Sequence, residues 1–151
     1  MDGLAWKESV MARDRGREAV IANVDLFGDL SKAQLKRLAN AASEVSHPQG
    51  KAVAEEGRGA LAFHLIVEGS ATVSKDGREL RTLGPGDYFG EISMIDGRPR
   101  SATVTALEPL TVMAIPHQDF ERVVDEDPEV ARHLLKTLCA RLREAESRAS
   151  D

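Results

Sequence analysis

The stretch LGPGDYFGEISMIDGRPRSATVTA, running from Leu83 to Ala106, decides the reading of this chain. It reads as the end of a strand, a tight Gly84-Pro85-Gly86-Asp87 turn, a short helix opening at Gly90-Glu91, a return over Gly97-Arg98-Pro99, and a strand from Arg100. The first turn of a helix leaves backbone N–H groups without partners and its dipole favours negative charge, so a phosphate can rest there. Gly90 lets the backbone come close. From Ile92 to about Asp96 the helix makes one or two turns at about 1.5 Å per residue, so the following loop can fold Arg100 back beside the helix start. A guanidinium offers a fork of donors matched to phosphate oxygens, and Ser101 adds a hydroxyl. Glu91 would repel a bare phosphate. An ionised carboxylate only accepts hydrogen bonds, so Glu91 suits a sugar hydroxyl, and the whole stretch suits a small anion carrying a sugar. The plain alternative is a β-barrel corner with Glu91 and Arg100 as a solvated ion pair of little worth. It accounts for the glycines but not for the whole set.

Outside this stretch, the chain sets limits. Its 151 residues suit one domain with its own core. The net charge of −5, with acids and bases mixed, lacks the basic footprint that nucleic-acid binding requires. The single cysteine, Cys139, excludes an internal disulfide and suits a reducing compartment; its neighbours Leu138 and Leu142 suggest helix packing. No apolar run approaches a membrane span and the first residues lack a signal-peptide core, so a cytoplasmic location is expected.

Taken in order, Leu4 to Val24 reads as a helix rich in Arg, Glu and Ala, with Trp6, Val10, Ala19, Val20 and Val24 as scattered apolar positions. Residues 1–23 are therefore expected to form a helical extension before a domain at 24–151. Ser31 with Gln34 forms a capping box for a helix to about Ala41, with Leu35, Leu38 and Ala42 on its buried face. Between about 44 and 115 come short β segments: Val45–His47, Lys51–Ala54, Ala62–Val67, Ser70–Ser74, Glu79–Leu83, Ser101–Ala106 and Leu110–Ile115. Several alternate apolar and polar residues, and Asp76-Gly77 is a hairpin signal. Such spacing indicates a sandwich or barrel. Helices follow over about 116–147. One opens after Pro116, and a longer one starts at Asp127-Pro128-Glu129, with Asp as cap and Pro in the first turn. Val130, Leu134, Leu138 and Leu142, extended by Ala131 and Leu135, are expected to form its packing stripe.

Gly90-Glu91-Ile92-Ser93-Met94-Ile95 followed by Pro99-Arg100-Ser101-Ala102-Thr103-Val104 resembles the phosphate-binding cassette of the cyclic nucleotide-binding domain family. Its members include the catabolite activator protein and the regulatory subunit of cAMP-dependent protein kinase. The resemblance implies a mainly β fold, an eight-stranded jelly-roll β-barrel with an N-terminal helical segment and C-terminal lid helices. It implies that Glu91 takes the ribose 2′-hydroxyl and Arg100 the cyclic phosphate, with Gly90, Ile92, Ser93, Ser101 and Ala102 around them. Val73, Leu83 and Ile92 match the barrel positions beside the base, and Arg141 matches a helix position from which some members reach the glutamate or phosphate. A solvated helix arginine is an equal reading of Arg141. Departures occur at Gly57-Arg58, Leu61, Phe63 and His64, away from the phosphate contacts.

The functional expectation is a sensor without chemistry of its own and without a cofactor. It binds cAMP ahead of cGMP, moves its flanking helices and acts on a protein effector in trans, with a homodimer through the C-terminal helix left open. Neither nucleic acid nor membrane is an expected partner. A catabolite-activator-type regulator would need a helix-turn-helix after the lid, for which a chain stopping at Asp151 leaves no room unless it is a fragment. A metal-dependent barrel enzyme would need clustered ligands, whereas His47, His64, His117 and His133 are isolated in sequence. A non-binding scaffold of the same fold is the remaining alternative, and the intact Glu91, Arg100 and Ser101 argue against it.

Overall fold

The computed structural model of the chain describes residues 16–55, 57 and 62–150. Eight strands form within it: β1 (Ser43–His47), β2 (Ala52–Ala54), β3 (Ala62–Glu68), β4 (Ala71–Lys75), β5 (Arg78–Leu83), β6 (Tyr88–Phe89), β7 (Thr103–Ala106) and β8 (Leu110–Pro116). The helices are α1 (16–22), α2 (Lys32–Ala41), α3 (Glu91–Asp96), α4 (His117–Glu126) and α5 (Pro128–Ser150), with a 3₁₀ turn at Asp25–Phe27. The strands pair antiparallel into two four-stranded sheets, ordered β1-β8-β3-β6 and β2-β7-β4-β5. This is the expected jelly roll, flanked by helices before and after it.

The period-two alternation of β3 and β8 builds two cores at once. Phe63, Leu65, Met113 and Ile115 face the helices, where they meet Phe27, Leu38, Phe120, Val130 and Leu134. Ile66, Leu110 and Val112 face the other sheet and meet Val73, Leu83, Phe89 and Val104. Three phenylalanines lock the helical side: Phe63 stacks on Phe120 at 4.3 Å, and Phe27 meets both edge-on at 5.8 Å. Such pairs add about 1 kcal/mol each beyond the area they bury.

Local signals account for most boundaries. Ser31 and Gln34 exchange both bonds of a capping box at the start of α2. Asp127 caps α5 by accepting from the Glu129 N–H at 3.0 Å. The β4–β5 hairpin turns on Asp76 and Gly77, both with positive φ, as a two-residue turn that follows strand twist requires.

Three readings of the sequence are corrected. Strand β6 is a two-residue strand, too short to show a period. In α1 the buried residue is Ile21 while Ala19 is exposed, and Leu4, Trp6, Val10, Arg58 and Leu61 lie outside the described residues. On α5 the expected stripe does not stay on the barrel: Val130 and Leu134 are buried, but Leu142 is 59% exposed and Leu135 62%. Steps of four residues advance about 40° around a helix of 3.6 residues per turn, so the packed face continues instead through Thr137 and Arg141. Cys139 falls on the far side and is exposed.

Among the described residues no helix is long and apolar enough to cross a membrane. Nor do any three His, Cys, Asp or Glu side chains among them group as a metal would require.

Candidate functional site

Gly90 opens α3 with φ of 99°, a left-handed conformation that glycine adopts without strain. A Cβ there would lie 2.5 Å from Arg100 Nη1 and 2.7 Å from the Ala62 carbonyl oxygen. The absent side chain is therefore what allows the guanidinium of Arg100 to fold back over the helix start. Arg100 donates through Nη2 to the Ala62 carbonyl at 3.2 Å. Burial pulls its pKa down, and the nearby Glu91 partly restores it.

Glu91 begins α3 and is 1% exposed. Its Oε1 accepts from Arg141 Nη1, which reaches across from α5, while Oε2 is buried without a hydrogen-bond partner. A buried carboxylate oxygen with no donor is costly. It is the kind of acceptor that a hydroxyl entering the site would satisfy.

These groups line a cleft between the β2-β7-β4-β5 sheet, α3 and α5. The cleft brings together every residue singled out in the sequence: Gly90, Glu91, Ile92, Ser93, Arg100, Ser101 and Ala102 from the cassette, Val73 and Leu83 from β4 and β5, and Arg141 from α5. Its lining combines the charged Glu91, Arg100 and Arg141 with the aliphatic Val73, Leu83 and Ile92, and Ala54 and Val104 add to the apolar wall.

Three polar residues that line or support the cleft were not anticipated. Tyr88 lines the cleft, lies 5.9 Å beneath the Arg141 guanidinium and donates through its hydroxyl to Thr137 of α5 at 3.0 Å. Burial raises its pKa. Arg81 of β5 also lines the cleft, with Nε buried and unpartnered. Burial first, and then the charge of Arg141, lower its pKa. The signal for Arg81 was present: it is two positions before Leu83 on one strand and so shares its face. The third is His117, the first residue of α4, whose Nε2 lies 3.0 Å from the Gly90 carbonyl oxygen. No local pattern points to it. A second cleft runs between Val24–Leu26, Gly86–Tyr88 and the α5 residues His133, Lys136 and Thr137, and shares Tyr88 and Arg141 with the first.

Comparison with known proteins places this geometry. The family model described as cyclic nucleotide-binding domain matches residues 44–127. The cAMP-dependent protein kinase regulatory subunit of Debaryomyces hansenii is 35% identical over 108 residues, 71% of this chain and 24% of that protein. The crystal structure of Thermus thermophilus catabolite activator protein is 31% identical with a TM-score of 0.70, covering 83% of this chain and 61% of that one. The regulatory domain of Toxoplasma gondii PKA, crystallised with cAMP, has a TM-score of 0.81 at 23% identity over 89% of this chain and 52% of that one, a likeness of fold. The chain spans between 24% and 34% of the length of four curated relatives that it matches. With the cassette, the two-sheet barrel and the matching family model together, the chain belongs to the cyclic nucleotide-binding domain family.

Proposed function

We propose that this cleft binds a 3′,5′-cyclic nucleotide, with cAMP as the first reading, and that its occupancy is passed through the flanking helices to a protein effector in trans. One observation carries the proposal: the unpartnered Oε2 of the buried Glu91 shares a cleft with the partly buried guanidinium of Arg100. A ribose 2′-hydroxyl would supply the missing donor to Glu91. An anionic phosphodiester would draw the Arg100 fork off the Ala62 carbonyl, with the Ser101 hydroxyl beside it. The remaining volume is walled by Val73, Leu83, Ile92 and Ala102, which suits the faces of a purine. The role is binding and not catalysis.

Coupling to an effector follows from which element holds Glu91. Arg141 is on α5, so a ligand that bonds Glu91 acts one contact away from the last helix. A ligand shifts such an arrangement only by its difference in affinity between the two states. A homodimer through α5 is compatible with this role and is not required by it.

A second reading, cGMP, is favoured by Arg81. A guanidinium only donates, and guanine offers the paired acceptors O6 and N7 that arginine engages bidentately, where adenine offers N7 beside a donor. Calorimetric titration of nucleotide-free protein with cAMP, cGMP and linear AMP tests both readings. Saturable binding of a cyclic nucleotide, weaker for linear AMP, is the expected result, and the tighter of the two cyclic forms names the base. Binding of neither would leave the fold as a scaffold.

A further inference from the structure

Beside the cleft, around the start of α3 and the turn into α4, the chain assembles a small polar junction. The Ala62 carbonyl accepts from Arg100 at 3.2 Å, and the Gly90 carbonyl lies 3.0 Å from His117 Nε2. In a trans peptide the C=O and N–H point in opposite directions. The peptide whose carbonyl meets His117 therefore turns the Glu91 N–H the other way, and both Gly90 and Glu91 line the cleft. His117 is also the first residue of α4, immediately after β8. One imidazole thus joins the cassette to a helix outside the barrel.

We infer that His117 is a positioning residue of this cleft, holding the Gly90–Glu91 peptide from behind, and that it takes up a proton when an anionic ligand reaches Arg100. The inference rests on the reading of the cleft as a cyclic-nucleotide site. The groups acting on the ring are Arg100, leading into β7, His64 on β3, and Glu121 on α4 itself, with the carbonyls of Gly90 and Ala62. Without ligand, burial and the charge of Arg100 both disfavour the imidazolium, against the pull of the Gly90 carbonyl. A phosphodiester anion paired with Arg100 cancels the repulsive charge and leaves the favourable carbonyl contacts in place. The sign follows: the imidazole binds its proton more tightly in the complex, so ligand affinity rises as pH falls through its titration range. An imidazolium donating to the Gly90 carbonyl also polarises that peptide, which strengthens its N–H as a donor. The phosphodiester itself stays ionised throughout.

The test follows the His117 ring resonances of the full chain by NMR over pH, without ligand and saturated with cAMP or cGMP. Calorimetric affinities at about pH 8 and about pH 5.5, either side of the usual histidine range, accompany it. The ring's midpoint is expected to move up on saturation, and the parent chain to bind severalfold tighter at the lower pH. His117→Gln retains a donor that cannot titrate. It should keep most of the affinity at the higher pH and lose the rise, while His117→Ala weakens binding at both. An unmoved midpoint, or a His117→Gln variant that keeps the parent's rise, would overturn this inference while leaving the cleft's reading intact. A parent chain that binds neither nucleotide at the higher pH would overturn both.

Discussion

Arg141 of α5 donates to Glu91 of α3 across 50 positions of sequence, and occupies only one of the two carboxylate oxygens. The pair ties the last helix to the cleft, beside the Tyr88–Thr137 hydrogen bond. Removing the cation strands a carboxylate that is 1% exposed, a loss of the kind that costs about 3 kcal/mol. Arg141→Ala should lower the urea midpoint accordingly, and adding Glu91→Gln should recover most of the loss. A single Arg141→Ala variant as stable as its parent would sever the tie as a structural element.

Arg100, partly buried in the cleft, donates through Nη2 to the backbone carbonyl of Ala62. Arg100→Ala should weaken cyclic-nucleotide binding by about 2–5 kcal/mol, the loss seen when one member of a buried charge pair is truncated. Arg100→Lys should recover only part of it, because an ammonium lacks the planar fork. Calorimetry on the two variants checks the order.

Gly90→Ala meets three obstacles at once. Its backbone has φ of 99°, and its new methyl would sit 2.5 Å from Arg100 Nη1 and 2.7 Å from the Ala62 carbonyl oxygen. The strain should cost about 1–3 kcal/mol of stability, and Arg100 must swing away. Thermal melts and titration together should show lower stability and weaker binding. Gly69→Ala, where the methyl would strike the Pro109 carbonyl away from the cleft, should lower stability alone.

Arg81 separates the two readings of the base. Arg81→Leu should reduce cGMP affinity by about 1–3 kcal/mol, the worth of a bidentate base contact, and leave cAMP affinity nearly unchanged. Equal losses for both nucleotides would show that Arg81 does not read the base.

His64 faces the barrel, stacked 4.8 Å from Phe89, with Nδ1 buried and unpartnered. Burial, and then the charge of Arg100, lower its pKa to about 4. The unfolded chain holds an ordinary histidine near 6.5, so between these values it binds more protons than the native state. Stability is then complete above about pH 6.5 and lost as pH falls toward about 4, by about 3 kcal/mol in all. Urea midpoints of the parent and of His64→Leu, compared over that range, should show a shallower decline in the variant. Parallel declines would put the acid sensitivity elsewhere.

The fold class and one end of the cleft were legible in the sequence because the signals that carry them are local. Gly90, Glu91, Arg100 and Ser101 lie within twelve consecutive positions, and a short helix with a glycine return brings them near one another before the Ala62 carbonyl of β3 holds the Arg100 side chain. The Ser31–Gln34 box, the Asp76-Gly77 hairpin and the Asp127 cap are likewise set by neighbours in sequence. The α5 stripe misled because a four-residue spacing matches the helix over one turn and drifts off the packed face over three.

What the amino-acid order determined by itself was therefore the backbone's local shape: where helices begin, where strands turn, and that one short loop carries Glu91 and Arg100 close together. Only the tertiary structure decided which distant side chains close around that loop. Arg141 reaches Glu91 because α5 crosses the barrel with its 134–137–141 face inward, Arg81 enters the cleft by sharing a β5 face with Leu83, and His117 backs Gly90 because β8 ends beside β3. Each of these contacts joins elements far apart in sequence, and their partners are chosen by packing and register, which no local propensity encodes.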